Sequence, residues 1–73
     1  MPLNIAPVNV PVEIKRISAE EKVKKHLQEI GMTTGARPTV ISSDGGNVIL
    51  IVKEGRLCLD KGLASKITVA IAA

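Results

Sequence analysis

The sequence contains no phenylalanine, tryptophan or tyrosine, and this absence removes several classes of binding site. Proline-rich peptide grooves, single-stranded nucleic-acid platforms and methyl-lysine cages all depend on aromatic faces. None of these sites can be built from the residues present. The core must instead be packed from the aliphatic side chains of valine, isoleucine, leucine and alanine.

Cysteine and histidine occur only once each, as Cys58 and His26. An intramolecular disulfide is therefore excluded, and a structural zinc site is not expected because such sites normally use four cysteine or histidine ligands. A lone thiol is typical of a reducing compartment. We interpret Cys58, in an apolar segment, as an inert buried thiol, and His26 as a residue that flanks the apolar stripe of a helix. The sequence predicts no metal ligand and no cofactor.

Long charged and long apolar runs are also missing. Basic and acidic residues alternate along the chain and give a net charge of only +3, so nucleic-acid binding is not expected. The first residues lack the basic and apolar regions of a secretory signal. The longest apolar run, Val48 to Val52, is far shorter than the ~20 residues of a membrane helix. We therefore predict a cytoplasmic protein without membrane insertion.

The 73 residues are enough for one small domain, which we place at residues 1–73. Prolines punctuate residues 1–11 and predict an extended arm, because proline lacks the amide donor that a strand interior needs. The apolar residues Leu3, Ile5 and Val8 of this arm are expected to lie across the domain.

The segment that follows the first predicted strand has the pattern of an amphipathic helix. Ser18 is expected to be its N-cap, with Glu21 completing a capping box. The apolar stripe consists of Val23, Leu27 and Ile30. Two i,i+4 ion pairs are expected on the solvent side, Glu20 with Lys24 and Glu21 with Lys25. Gly31 should end the helix in a left-handed conformation, with Met32 in contact with Leu27.

Five short strands are predicted around this helix, at Val12–Ile17, Thr39–Ser43, Val48–Val52, Arg56–Leu59 and Ile67–Ile71. Residues 44–47 and 54–55 indicate tight turns, and Asp60 is expected to cap a helical turn that ends at Ala64 or Lys66. The run Val48–Val52 is expected to be buried on both faces. The result is a mainly β fold with one α-helix and a short helical turn. A five-stranded barrel with the helix in one opening is favoured, because closure removes exposed sheet edges.

No enzyme is predicted from these residues. Glu13, Glu54 and Asp60 are scattered among turns and strand edges, with no additional histidine or cysteine to complete a catalytic or metal site. Gly45 and Gly46 belong to a hairpin and not to a phosphate-binding loop, since no Gly-Lys-Ser/Thr follows them.

The chain carries several short motifs in a fixed order: Met1-Pro2-Leu3, Glu29-Ile30-Gly31-Met32 with Gly35 three residues on, Arg56-Leu57-Cys58-Leu59 before a short helix with Ala64, and Ile67-Thr68-Val69. In this order and spacing they resemble the FeoA family, the small cytosolic ferrous iron transport protein A. The resemblance covers essentially the whole chain and implies an SH3-like small β-barrel with a helical insertion. It also implies a non-enzymatic accessory role in ferrous iron uptake, docked on the cytosolic side of FeoB. FeoB is the membrane transporter that carries a cytosolic GTP-binding domain.

The resemblance leaves an alternative open. The same SH3-like module forms the C-terminal domain of metal-dependent repressors of the diphtheria-toxin-repressor type. The alternative function is therefore that of a freestanding regulatory module of this type, which binds a peptide or a transition metal. A complete repressor is not expected, because no helix-turn-helix precedes the module. A weak homo-oligomer, direct iron binding and an effect on GTP hydrolysis, assembly or gating are left open.

Partner contacts are predicted at Met32, Thr33, Arg37, Lys53 and Arg56. Met32 and Thr33 lie in the loop that leaves the helix, where a flexible thioether suits a contact surface. The alternative for Met32 is that it only completes the helix stop. Arg37, Lys53 and Arg56 form a basic patch if the hairpins bring them together, and otherwise are separately solvated cations.

Overall fold

The computed structural model describes residues 1–53 and 55–72. In chain order, its elements are a 3₁₀ turn (Leu3–Ile5), β1 (Val12–Ile17), α1 (Glu21–Glu29), β2 (Thr39–Asp44), β3 (Asn47–Val52), β4 (Gly55–Leu59), α2 (Lys61–Ala64) and β5 (Ile67–Ile71). The five predicted strands are confirmed, because each lies within one residue of its expected bounds at either end.

The strands form two antiparallel sheets, one of β1 with β5 and one in the order β2-β3-β4. The prediction of a closed barrel is wrong, because the two ladders are not continuous; the described residues join them through an isolated bridge between Pro11 and Thr39. Pro11 and Pro38 stand where β1 and β2 meet and have no amide donor for a ladder. The small SH3-like fold itself is confirmed, with the core enclosed by both sheets.

The core is aliphatic, as the missing aromatics predicted. It draws on the arm, both sheets, α1, α2 and the loop after α1. Its buried members are Leu3, Ala6, Val12, Ile14, Leu27, Met32, Val40, Val48, Leu50, Leu59, Ala64, Ile67 and Val69. No charged or polar side chain is buried among the described residues. The domain therefore depends on close packing of small apolar side chains.

Strand β3 is buried on one face only, which makes the prediction of two buried faces wrong. Val48 and Leu50 are buried, whereas Ile51 is 47% exposed. Cys58 of β4 is directly opposite Ile49 and is exposed, so the prediction of a buried thiol is also wrong. Side chains alternate between the two faces of a strand, and the outer face of this sheet is accessible to solvent.

The arm is only partly as predicted. Leu3 is buried in the core, but Ile5 is 65% exposed and Val8 is also exposed. The 3₁₀ turn explains the difference, because it interrupts the extended arm and directs Leu3 and Ile5 to different sides.

The beginning of α1 differs from the prediction. The helix begins at Glu21, and its N-cap is Glu20, which makes no side-chain capping hydrogen bond. The capping box at Ser18 is therefore wrong; the Ser18 amide donates to the Lys66 carbonyl at 2.8 Å, and this tertiary contact holds Ser18 outside the helix. Instead of the two predicted i,i+4 pairs, Lys24 pairs with Glu21 at 3.6 Å.

The end of α1 confirms the predicted helix stop. Gly31 has a φ of +93°, in the left-handed region that favours glycine. The Gly31 amide donates to the Gln28 carbonyl at 3.1 Å, and the Met32 amide donates to the Leu27 carbonyl at 2.8 Å. These two bonds define a Schellman motif.

Two further local predictions are confirmed, one before β3 and one after β4. Gly45 and Gly46 connect β2 to β3, and both have the positive φ that a type I′ turn requires. The Asp60 carboxylate accepts a hydrogen bond from the Leu63 amide at 2.8 Å and so caps α2. The predicted turn residue Glu54 lies outside the described residues.

Candidate functional site

A groove of ≈ 550 Å³ lies between the end of α1, the loop that follows it and the end of β3. Its walls include Thr33, Ala36 and Arg37 on one side and Ile51, Val52 and Lys53 on the other. The groove thus combines apolar side chains with two cations.

The groove contains three of the five residues that the sequence predicted as partner contacts, namely Thr33, Arg37 and Lys53. A fourth, Arg56, lies beside it. Arg56 is directly opposite Ile51 in the β3–β4 ladder, and side chains of paired residues project from the same face of a sheet. The structure therefore brings the three predicted cations to one side of the domain.

The fifth predicted contact, Met32, is placed elsewhere. Its side chain is completely buried in the core. This favours the alternative reading, in which Met32 completes the helix stop and packs under α1. The candidate contact surface therefore consists of Thr33, Arg37, Lys53 and Arg56.

A tight turn holds the loop wall of the groove against β1. The Ala36 amide donates to the Thr33 carbonyl at 3.0 Å, and Gly35 between them has a φ of +91°. The Gly35 amide donates in turn to the Ile14 carbonyl at 2.8 Å. The backbone that carries Thr33 and Arg37 is therefore fixed to β1 and does not depend on a flexible connection.

Glu13 of β1 forms an ion pair with Arg37 and so partly neutralises the charge that Arg37 can offer to a binding partner. Its Oε1 lies 3.5 Å from Nη2 of Arg37, and its Oε2 accepts a hydrogen bond from Nζ of Lys15 at 3.0 Å. Lys15, through this hydrogen bond and its charge, and Arg37 lower the pKa of Glu13 below the usual value of 4.5. Lys53 and Arg56 form no ion pair with any described residue.

We expect the contribution of Glu13 to the free energy of unfolding to disappear as the pH falls below about 4.5. A carboxylate whose pKa is lowered by folding stabilises the folded state above its unfolded-state pKa, and this stabilisation is lost as the pH falls through the folded-state pKa. The effect is small because both cations are solvent-exposed. Urea unfolding of the native protein and of Glu13→Gln should differ at neutral pH, and the difference should be smaller at a pH well below 4.5. An equal difference at both pH values would contradict the assignment.

A second groove, of ≈ 420 Å³, lies between β1 and α1 and includes Lys15, Arg16 and Lys24. All three cations already have partners within the chain. Lys15 and Lys24 each pair with a glutamate, and Arg16 donates to a serine hydroxyl. The first groove is the better candidate, because neither Lys53 within it nor Arg56 beside it forms an ion pair with a described residue.

Within residues 1–53 and 55–72, no three histidine, cysteine, aspartate or glutamate side chains are close enough to hold a metal ion. His26 and Cys58 are both exposed, on α1 and β4 respectively. The absence of an enzyme activity and of a metal site stays a prediction. The two described helices, of 9 and 4 residues, are too short to cross a bilayer.

Comparisons with known proteins agree with the fold. Residues 1–71 match the family model of the FeoA domain. The solution structure of the FeoA protein from Chlorobium tepidum superimposes with a TM-score of 0.86 at 25% identity, covering 100% of this chain and 71% of that chain. A crystal structure of an iron uptake regulatory protein (FeoA) gives a TM-score of 0.84 at 26% identity, with 94% and 93% covered. Iron(II) transport protein A from Clostridium thermocellum superimposes with a TM-score of 0.86, covering 97% of this chain and 45% of that chain. Its identity of 22% supports a likeness of fold only. No curated protein matches the sequence.

Proposed function

Because the chain belongs to the FeoA family and its role lies in ferrous iron transport, we propose that it is a non-enzymatic accessory protein that docks on a FeoB-type transporter. The proposed contact on the transporter is its cytosolic side, with the GTP-binding domain as the first candidate. The proposed contact on this chain is the groove between the end of α1 and the end of β3.

One observation carries the choice of surface. Ile51 is a large apolar side chain that is 47% exposed; it is directly opposite Arg56 and two residues before Lys53, and it lines the groove together with Ala36, Pro38 and Val52. An apolar patch rimmed by polar or charged side chains is typical of protein–protein contacts. The chemistry of this surface fits a partner segment that carries an apolar side chain and flanking carboxylates, because complementary charge favours association and sets orientation.

The three cations are not expected to contribute equally. A partner carboxylate that binds Arg37 must compete with Glu13, whose Oε1 already lies 3.5 Å away. Arg56 has no such competitor among the described residues. Charge reversal at Arg56 should therefore weaken docking more than charge reversal at Arg37.

The test is binding of the native chain and two charge-reversal variants to detergent-solubilised FeoB. Arg56→Glu is expected to weaken binding about tenfold, which corresponds to roughly 1.4 kcal/mol, and Arg37→Glu by a smaller factor. Both variants should keep the fold, since the two side chains are exposed. Affinity is measured by biolayer interferometry at low and high salt, and the fold by circular dichroism.

Lys66→Glu is the matched control, because it makes the same change in charge at an exposed residue outside the groove. This variant should bind like the native chain. An equal loss of affinity in all three variants would mean that only net charge matters. Native affinity in both Arg37→Glu and Arg56→Glu would overturn the assignment of the groove.

A further inference from the structure

The two sheets have four edges, and other parts of the described chain hydrogen-bond to three of them, along β1 and at single positions of β2 and β5. At β5, the Met1 amino group donates to the Val69 carbonyl at 2.9 Å, and the Val69 amide donates to the Met1 carbonyl at 2.7 Å. At β2, the Asn9 amide donates to the Val40 carbonyl, and residue 11 bridges to residue 39. At β1, residues 35–38 provide hydrogen bonds along the strand. Covered edges do not pair with other chains.

The fourth edge, on β4, is free within the described part of the chain. Val52 is directly opposite Gly55 across the short connection to β4, and such a pair exchanges both of its hydrogen bonds. Successive residues of a strand direct their peptide groups to opposite sides, so those of Arg56 and Cys58 face away from β3. Among residues 1–53 and 55–72, no backbone hydrogen bond from outside the β3–β4 ladder reaches these two residues.

We propose that a second copy of this chain occupies the free edge, with the two β4 strands antiparallel about a twofold axis at Cys58. In this register Arg56 of one copy lies opposite Asp60 of the other, once on each side of the axis. Arg56 and Asp60 are both exposed, and the backbone of Asp60 is still extended, with φ −74° and ψ 165°. Opposite charges that are directly paired across two strands stabilise the pairing.

The self-complementary order of β4 favours a second copy as the occupant. When the segment 56–60 is aligned antiparallel to a second copy of itself, Arg56 is opposite Asp60 and Leu57 is opposite Leu59. A twofold axis at either neighbouring residue leaves both charges without their partner. About four backbone hydrogen bonds would form across the axis, because the Asp60 carbonyl already accepts one from the Ala64 amide at 2.9 Å. This pairing goes beyond docking on a transporter and can be measured without one.

The first test uses the native thiol as a reporter of register. Opposed residues in a hydrogen-bonded pair have Cα atoms about 5.5 Å apart, so a short bis-maleimide should join Cys58 to Cys58 of the second copy in high yield. The control is Cys58→Ser with Ser42→Cys, which moves the thiol to an exposed position on β2, at the opposite edge of the sheet from β4. This control should pair through β4 but form no covalent dimer, because its two thiols lie on the outermost strands of the joined sheets. Equal yields for the two proteins would overturn the proposed register.

The second test measures the charge pairs by analytical ultracentrifugation. Arg56→Gln and Asp60→Asn should each raise the dimer dissociation constant by about fivefold, and asparagine at position 60 keeps a good cap on α2. Lys66→Glu should leave the constant unchanged. Circular dichroism confirms that each variant is folded. A native chain that stays monomeric up to about millimolar concentration, or dimers unaffected by both substitutions, would overturn the proposal.

Discussion

Replacing Met32 by alanine is expected to lower the free energy of unfolding by about 2–5 kcal/mol. Met32 is completely buried beneath α1, and its removal would leave a cavity in a core without aromatic rings. A domain of 73 residues has a stability on the order of 4–11 kcal/mol, so the loss is a large fraction of the total. Urea unfolding monitored by circular dichroism measures the change.

Met32→Leu is the matched variant, because it conserves volume and apolar character and should cost less than about 1.5 kcal/mol. Transporter binding of the two variants separates the two readings of this residue. If Met32 acts through the core, Met32→Leu binds like the native chain. Native stability with lost binding in Met32→Leu would show that the thioether acts in the contact itself. Native stability in Met32→Ala would contradict its place in the core.

Leu3→Ala in the arm should have a comparably large effect, again about 2–5 kcal/mol. Leu3 is completely buried, although it lies near the end of the chain in a segment that sequence patterns describe only as extended. Its side chain anchors the arm, and the arm covers the edges of β5 and β2. We therefore expect loss of Leu3 to lower stability and to promote aggregation through uncovered edges.

Ile5→Ala tests whether this effect is specific to the anchor. It shortens an apolar side chain in the same turn, but Ile5 is 65% exposed, and the change should stay within about 0.5 kcal/mol. Thermal unfolding and light scattering of both variants at equal concentration provide the comparison. Equal destabilisation by the two substitutions would contradict the anchoring role of Leu3.

The parts of the fold that could be predicted from the sequence are those set by neighbouring residues. Gly31 ends a helix, Gly45 and Gly46 form a turn, and Asp60 caps α2, because each conformation depends on a few adjacent side chains and amides. The strands between these signals then follow with small errors at their ends.

Three of the wrong predictions involve contacts between residues that are distant in the chain. Ser18 has the chemistry of an N-cap, but its hydrogen bond with the Lys66 carbonyl holds it before the helix. A thiol in an apolar strand was expected to be buried, but the accessible outer face of the sheet leaves Cys58 exposed. Closure of the barrel likewise depends on whether β1 and β2 can pair next to Pro11 and Pro38, and no local sequence pattern shows that these two prolines lie together.

The groove was predictable in its charges but not in its apolar residue. Arg37, Lys53 and Arg56 stand near turns, where cations are usually solvated, and their proximity was a reasonable hypothesis. Ile51 was missed because the continuous run Val48–Val52 suggests burial on both faces. The signal was available in the hairpin, since the turn places Ile51 opposite the charged Arg56, and a cation seldom lies on a buried face.

The two walls of the groove differ in their dynamics. Helix α1 has one fully buried residue, Leu27, and at nine residues it is too short to be stable alone in water. Its amide hydrogens therefore exchange through local unfolding at a lower free energy than those of β3, which lies in the middle of a sheet. Gln28 and Gly31 at the helix end can thus rearrange around a partner while Ile51 stays in place. Binding in the groove would then appear as slower hydrogen exchange in α1, with the centre of the sheet unchanged.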